Sequence, residues 1–444
     1  MSVRRLRGRF GSALILENPH ETLDRELEAQ GIEVERLPER ATRDRDFVLQ
    51  RLRDGGHDLL FKRSRFLVDQ EVLEAAPQLA AVMLCCIGDD SVDKNACARE
   101  GVLVMNDPVS NGRSVAEMVI GEMICLARRI FVAHEAGREH LWTKESSGRY
   151  ELQGRTISVI GLGNIGRQVA RLAEAFGMRV AFYDQSSVAR EVGRAFGWIE
   201  CSSLEEAFRT GDVVTLHLSA EDSQGRRNER VIGLDHFRLL GADRGEQTPR
   251  VFVNAARGFL YDPDALRTAL AEGVVRAAAI DVFPDEPGSR DDPWHNPYAE
   301  LESVTTTPHI GAATEEAQPR IAQYMAGSAQ LFNLRGTVRD TVFRPKLRID
   351  LDAEPGQWAL AVVHSDARGT KKAIADTIFE AGANYLDSNH HDFPRYGIAY
   401  DLSAIDRPLE ESELDRLVEA ATEISGDPTA IRSIRQFRVG KEGD

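Results

Sequence analysis

Thr156-Ile-Ser-Val-Ile160-Gly161-Leu-Gly163-Asn164-Ile165-Gly166 decides how the rest of this chain is read. Five residues suited to a buried strand run straight into a G-x-G-x-x-G turn. A helical pattern follows, with Ile165, Val169, Leu172, Ala173 and Phe176, and it closes at Gly177. A second apolar run, Val180-Ala-Phe-Tyr183, ends in Asp184, about 20 residues after the glycines, where a dinucleotide-binding unit places its ribose acid. Gly161 permits the tight turn, Gly163 lets the backbone approach a pyrophosphate, and Gly166 lets the helix pack closely on the strand. The helix N-terminus then offers unpaired N–H groups and a favourable dipole to the phosphates. Asp184 would accept both ribose hydroxyls and repel a 2′-phosphate, so the expected cofactor is NAD rather than NADP. A lone glycine hexapeptide would carry little; its flanks carry the reading.

Working outward, the strand–helix alternation continues downstream, with strands expected at 179–183, 213–218, 251–254, 276–281 and 303–307. Upstream, short apolar runs at 13–16, 58–61, 80–84 and 102–105 are separated by helix-like segments such as 21–30 and 69–75, which implies another parallel sheet. A long helical pattern spans 113–135. Residues 339–350 read as a linker, and 220–230 and 241–250 as loops. A last block reads strand 358–363, helix 369–381, strands near 384–388 and 396–402, helix 411–424 and strand 431–437. That β-α-β-β-α-β order is a ferredoxin-like unit. The fold class is therefore α/β: two Rossmann-like doubly wound domains, then a C-terminal ferredoxin-like α+β domain.

The chain has 444 residues and a formal net charge of −16, which argues against nucleic acid or an anionic membrane as partner. Its five cysteines, Cys85, Cys86, Cys97, Cys125 and Cys201, form no C-x-x-C pattern and read as reduced groups of a soluble, cytoplasmic protein. Met1-Ser-Val-Arg-Arg lacks the apolar stretch of a signal peptide. No metal site is expected.

Three further motifs sit at the ends of expected strands, where open α/β sheets place their ligands. They are Asn254-Ala255-Ala256-Arg257-Gly258, Asp281-Val-Phe-Pro-Asp-Glu286-Pro287 and Thr307-Pro308-His309-Ile310-Gly311. Taken singly, each reads as a surface arginine, a Glu-Pro turn and a structural histidine. Together on one dinucleotide fold they read as a carboxylate clamp and an acid–base pair.

These residues carry a resemblance to the D-2-hydroxyacid dehydrogenase family, in its form with one C-terminal ACT domain. The resemblance also rests on Arg63-Ser64-Arg65, Cys86-Ile-Gly88 with Val92-Asp93, Ser110-Asn111 with Arg113-Ser-Val-Ala-Glu117, and Trp142 with Lys144, and it spans about residues 55 to 440. It implies a catalytic set of Arg257, Glu286 and His309. It implies a cofactor site of Gly161, Gly163, Asn164, Ile165, Gly166, Asp184, Ala255, Ala256, Arg257, Asp281, His309, Ile310, Gly311 and Ala312, with Asp281 near the nicotinamide carboxamide. It implies a discontinuous substrate domain, 1–112 with 310–338, around an NAD-binding domain at 113–309, then a regulatory domain at 351–444. The implied reaction is oxidation of D-3-phosphoglycerate, the first step of L-serine synthesis, by a homo-oligomer, a tetramer being favoured. Other 2-hydroxy acids such as 2-hydroxyglutarate remain open, as does a non-catalytic nucleotide-sensing role.

Arg63 and Arg65 flank Ser64 after the strand-like Leu59-Leu-Phe61, and two guanidinium forks with a hydroxyl suit a phosphate. A second carboxylate would suit them almost as well. Asn111 matches a substrate-side asparagine, and Lys144 a lysine that reaches a neighbouring subunit's site. In the C-terminal block, Val363-His364-Ser-Asp366-Ala-Arg-Gly369 and Asn384 match effector-side positions for L-serine, although Asp366 stands where asparagine is usual. Serine, another amino acid, or a purely assembling role all remain open there. Two stretches depart from the family, Leu218-Ser219-Ala220 with its charged loop and Asp243-Arg-Gly-Glu-Gln-Thr-Pro249.

Overall fold

The computed structural model describes residues 3–222, 224–287, 292–344 and 347–441. Ser223 of the charged loop and Pro345 and Lys346 of the expected linker lie outside them. The chain forms two compact units, one of Asn111–Ala317 and one of Met1–Ser110 with Gln318–Asp444.

The Asn111–Ala317 unit is built on seven parallel strands in the order Val304–Thr306, Ala277–Ile280, Val251–Asn254, Val213–Leu216, Thr156–Ile160, Arg179–Tyr183, Ile199–Glu200. Thr156–Ile160 is buried along its whole length, as a strand covered on both faces must be. Strand order reverses between it and Val213–Leu216, and the glycine turn leaves the sheet at that switch point. Helix Asn164–Ala175 turns Val169, Ala170 and Ala173 into the core, and helix Gly112–Arg128 buries Val115, Ala116, Val119, Ile120 and Met123. The helix expected over 113–135 is broken. Arg129 adopts a left-handed conformation (φ 52°), its N–H bonds the Leu126 carbonyl, and a new helix, Ile130–Arg138, starts beyond it. That second helix has no buried residue, so nothing in the core holds it in line with the first.

In the other unit, five parallel strands run in the order Glu33–Arg36, Ser12–Ile15, Leu59–Lys62, Ala81–Leu84, Leu103–Asn106. Its C-terminal part has the expected β-α-β-β-α-β order: Trp358–Ser365, Thr370–Glu380, Tyr385–Phe393, Ile398–Ile405, Glu411–Ser425, Ile431–Arg438. These four strands pair antiparallel, with Trp358–Ser365 between Ile431–Arg438 and Ile398–Ile405, and with Tyr385–Phe393 at one edge.

One hydrophobic cluster runs from the N-terminal parallel strands onto one face of the C-terminal sheet, whose other face packs on helices Thr370–Glu380 and Glu411–Ser425 in a core of its own. Arg4–Arg5 forms an extra parallel strand on Ile431–Arg438. The fully buried Arg435 donates to the carbonyls of Gly8 and Phe332 and stacks on Phe10, its charge centre 3.8 Å from the ring centroid; burial pulls its pKa down to about 9. The expected linker is also fastened down. Val338–Arg339 pairs with Arg348–Ile349, and Thr341 is buried with its hydroxyl donating to the Val104 carbonyl.

Candidate active site

Each glycine of the fingerprint meets a different constraint. Gly161 has φ +94°, and a Cβ on it would sit 2.5 Å from the His217 carbonyl oxygen. A Cβ on Gly166 would sit 2.1 Å from the Gly161 oxygen, so the helix can approach the turn only without a side chain. At Gly163, which precedes helix Asn164–Ala175, a Cβ would meet nothing within 4 Å. This is the open side of the cradle, and it fits a pyrophosphate on the helix N-terminus. Asn164 and Ile165 form the first turn, with Ile165 packed against the core. Asp184 does more than the sequence disclosed. Its carboxylate accepts from the backbone N–H of Leu162 (2.7 Å) and of Ser186 (2.7 Å), tying the glycine turn to the neighbouring strand end.

The three downstream motifs come together on adjacent strand ends. Asn254 holds the first turn, accepting from Ala256 N–H (3.0 Å) and donating to the Arg257 carbonyl (2.9 Å). A Cβ on Gly258 would fall 2.0 Å from the Phe283 carbonyl carbon, so glycine lets the Arg257 turn lie against the Glu286 loop. Glu286 accepts from Phe283 N–H (3.1 Å) through one oxygen and meets His309 Nδ1 at 2.7 Å through the other. His309 has φ 54°, and its N–H donates to the Asp281 carbonyl (2.8 Å). The buried Asp281 carboxylate accepts from the Thr307 hydroxyl (2.7 Å), Ile310 N–H (2.8 Å) and Gly311 N–H (3.0 Å), and so shapes the loop that presents the histidine. Ala255 and Ala256 are half-buried in the Arg257 turn; Ile310 is exposed and Ala312 half-buried beyond the histidine.

Electrostatics tie the set together. The hydrogen bond to Glu286 raises the His309 pKa; burial opposes it, the Glu286 and Asp281 charges add to the rise, and Arg257 pulls the other way. Burial alone would push Glu286 up. The His309 hydrogen bond and charge, the Phe283 N–H and the Arg257 charge together hold it below the ordinary carboxylate range. Burial pushes Asp281 up despite its three hydrogen bonds. With Nδ1 held by Glu286, His309 Nε2 is the nitrogen left to exchange a proton.

Two groups were missed in the sequence. Glu122 lies on the buried stripe of helix Gly112–Arg128, and neither carboxyl oxygen makes a well-formed hydrogen bond. Burial pushes its pKa up to about 8, with Asp281 adding to the rise and Thr307 opposing it. An acid in phase with Val115, Val119 and Leu126 was the available signal. Glu17, buried and with φ 63°, accepts backbone N–H bonds from Arg63 (2.6 Å), Arg65 (2.6 Å) and Phe66 (2.5 Å).

Glu17 therefore shapes the Arg63-Ser64-Arg65 turn and occupies the backbone N–H groups of Arg63, Arg65 and Phe66. The Arg65 guanidinium lies 3.3 Å from Glu39, and Ser64 is exposed. Asn111 precedes helix Gly112–Arg128, its amide oxygen buried without a hydrogen-bond partner. Lys144 is exposed in the segment after Ile130–Arg138. His364, Asp366 and Asn384 are not assembled in one chain. His364 and Asp366 are at the Ile398 end of their strand pair, and Asn384 at the Ile405 end; Asp366 and Asn384 are exposed while His364 is buried.

Residues 120–311 match the family model described as D-isomer specific 2-hydroxyacid dehydrogenase, NAD binding domain. The chain is 35% identical to the D-3-phosphoglycerate dehydrogenase of Haemophilus influenzae over 335 residues, 76% of this chain and 78% of that one. It is 30% identical to the D-3-phosphoglycerate dehydrogenase of Dictyostelium discoideum, covering 95% of this chain and 96% of that one. Among solved structures, D-lactate dehydrogenase from Aquifex aeolicus, complexed with NAD and lactic acid, shares the fold at a TM-score of 0.60 and 24% identity, over 72% of this chain and 95% of that one.

Proposed function

The chain belongs to the D-isomer specific 2-hydroxyacid dehydrogenase family and is an NAD-dependent enzyme, and we propose that its reaction is the oxidation of D-3-phosphoglycerate to 3-phosphohydroxypyruvate, the entry to L-serine synthesis. The observation that carries the mechanism is the 2.7 Å contact between His309 Nδ1 and Glu286 on one sheet edge with Arg257. Bound NAD supplies the hydride acceptor. His309 takes the hydroxyl proton on Nε2, and Glu286 orients the ring and stabilises its charged form. Arg257 holds the substrate carboxylate and polarises the oxygen that becomes the ketone. Asp184 selects NAD over NADP by repelling a 2′-phosphate. In the reverse direction the imidazolium is the acid.

Arg63 and Arg65, with Ser64, take the phosphate end of the substrate, and Asn111 contributes on the substrate side. The name shared by the curated relatives supports this substrate. Initial rates with NAD and D-3-phosphoglycerate, against 2-hydroxyglutarate and D-lactate, test it. A clear preference for the phosphorylated acid is the expected result, and a preference for either other acid overturns it.

The working form is a homo-oligomer, with a tetramer favoured. Ile130, Phe131, Leu141 and Trp142 are exposed along one arm beside Lys144, an apolar surface suited to a second copy, whose site Lys144 would then reach. Residues 351–444 serve as an ACT-type domain that takes an amino acid, L-serine first, through Asp366 and Asn384 of different copies, with His364 behind them. Calorimetric titration with L-serine, paired with initial rates, decides between an effector and a purely assembling role. No helix among the described residues is long and apolar enough to cross a membrane. A cytoplasmic setting suits five cysteines that form no disulfide.

A further inference from the structure

Strand register in the C-terminal sheet brings together three residues that are far apart in sequence. Asp401 is the cross-strand partner of His390 on one side and of Val362 on the other, and His364 lies two residues beyond Val362 on the same face. One donor atom from each of His364, His390 and Asp401 lies within 4.8 Å of the others. His364 and Asp401 are each 2% exposed.

The hydrogen bonds around the three leave His364 Nε2 as the unpartnered atom. His364 Nδ1 donates to the Ser365 carbonyl (2.8 Å), which fixes the tautomer and makes Nε2 an acceptor; that Nε2 is buried and has no hydrogen-bond partner. His390 Nε2 bonds Asp392 (2.8 Å), and its Nδ1 faces Asp401 Oδ2 at 3.2 Å. The Ser403 hydroxyl donates to the other Asp401 oxygen (2.7 Å). A ring nitrogen tied to a carbonyl, with the opposite nitrogen bare, is how a ligating histidine is oriented, and His364 meets that description; at His390 an ion would replace the proton shared with Asp401.

We propose that His364 Nε2, His390 Nδ1 and Asp401 Oδ2 bind a divalent transition-metal ion, Zn(II) being the best chemical match. Two imidazoles and a carboxylate suit zinc over magnesium or calcium, with water as fourth ligand. Metal–ligand bonds of about 2.0–2.2 Å put tetrahedral ligand atoms about 3.3–3.6 Å apart, within the 4.8 Å that bounds the three donor atoms here. The site is separate from the dehydrogenase reaction: none of its residues belongs to the catalytic set.

The test uses the untagged full-length chain, stripped with a chelator and titrated with ZnCl2 by calorimetry, and with Co(II) for its visible spectrum. One Zn(II) per chain and a tetrahedral Co(II) spectrum are expected, both retained in His309→Gln. His390→Ala and Asp401→Asn should each weaken binding about 100-fold or more, and Ser403→Ala about 10- to 100-fold through loss of the orienting bond. His364→Ala empties a buried position, so the Co(II) spectrum of the wild-type protein carries the case if that variant does not fold. The proposal is overturned if His390→Ala with Asp401→Asn binds zinc as the wild type does. It is equally overturned if the chain takes up no Zn(II), or if nuclear magnetic resonance in saturating Zn(II) shows His390 protonated on both nitrogens, a plain imidazolium between Asp392 and Asp401.

Discussion

Two of the molecule's histidine–carboxylate pairs have nearly the same chemistry and are built in opposite ways. His309 and Glu286 stand on loops that leave neighbouring parallel strands, and the Asp281 carboxylate shapes the turn between strand and histidine. His390 and Asp401 face each other across an antiparallel ladder, with His364 brought in from a third strand. The first pair keeps a ring nitrogen for a proton. The second has both ring nitrogens engaged, one with Asp401 and one with Asp392. A parallel sheet gathers chemistry at the ends of its strands, whereas an antiparallel sheet can gather it mid-strand through register alone.

The sharpest way to break that contrast is to remove the histidine on which the catalytic side depends. His309→Gln is expected to lower turnover by about 10²- to 10⁴-fold while the protein stays folded and binds NADH. Arg257→Ala should join it through loss of the substrate clamp. Near-normal steady-state rates in the histidine variant would leave the loop-built pair with no more catalytic standing than the ladder-built one.

Glu286→Gln comes next. The native pair raises the His309 pKa, so in the oxidising direction the neutral base becomes available only toward higher pH. The variant should lose about 10- to 100-fold in rate, the equivalent of one charged hydrogen bond, and its acidic limb should move to lower pH. The stability that the pair contributes is present below the unfolded imidazole pKa and lost as pH rises through the folded one. An unshifted pH–rate profile would mean that Glu286 only shapes the loop.

Arg65→Ala probes a strand-end turn in the other unit. It should raise KM for D-3-phosphoglycerate about 10- to 100-fold and change 2-hydroxyglutarate far less; equal effects would assign the arginine to its contact with Glu39. A smaller effect is expected for Asp184→Ala, which should weaken NAD and narrow its advantage over NADP. Cofactor ratios unchanged beside weaker binding would reduce Asp184 to its bonds with Leu162 and Ser186.

What could be read in the sequence follows the same division. The glycine turn, Arg257, Glu286 and His309 each lie within a few residues of a strand whose end orients them, so local pattern sufficed. Glu17 reaches the Arg63 turn from 46 residues away, and His364, His390 and Asp401 meet through ladder register. Neither leaves a local trace. The linker misled because 339–350 is polar by composition, yet Thr341 pairs with a carbonyl of another strand and is buried. The continuous helix misled because periodicity persists past Arg129, where burial stops.

Glu122 falls between the two kinds of construction, a buried acid assembled by packing but seated close to Asp281 and Thr307. Its pKa of about 8 in the folded chain lies well above the ordinary carboxylate value. The native state therefore holds a proton that the unfolded state has released, from roughly pH 4.5 upward. Wherever the native state binds more protons than the unfolded one, stability falls as pH rises, so Glu122 costs stability between about pH 4.5 and 8 and adds no further slope beyond. Each decade of that difference is worth about 1.4 kcal/mol. Glu122→Gln keeps the shape without the titration. Its melting temperature should match wild type near pH 5 and exceed it increasingly toward pH 8, while turnover changes less than in any variant above. A gap that stays constant with pH would show that Glu122 does not titrate as a buried acid, and that the ground beneath the catalytic loops is wetter than its packing indicates.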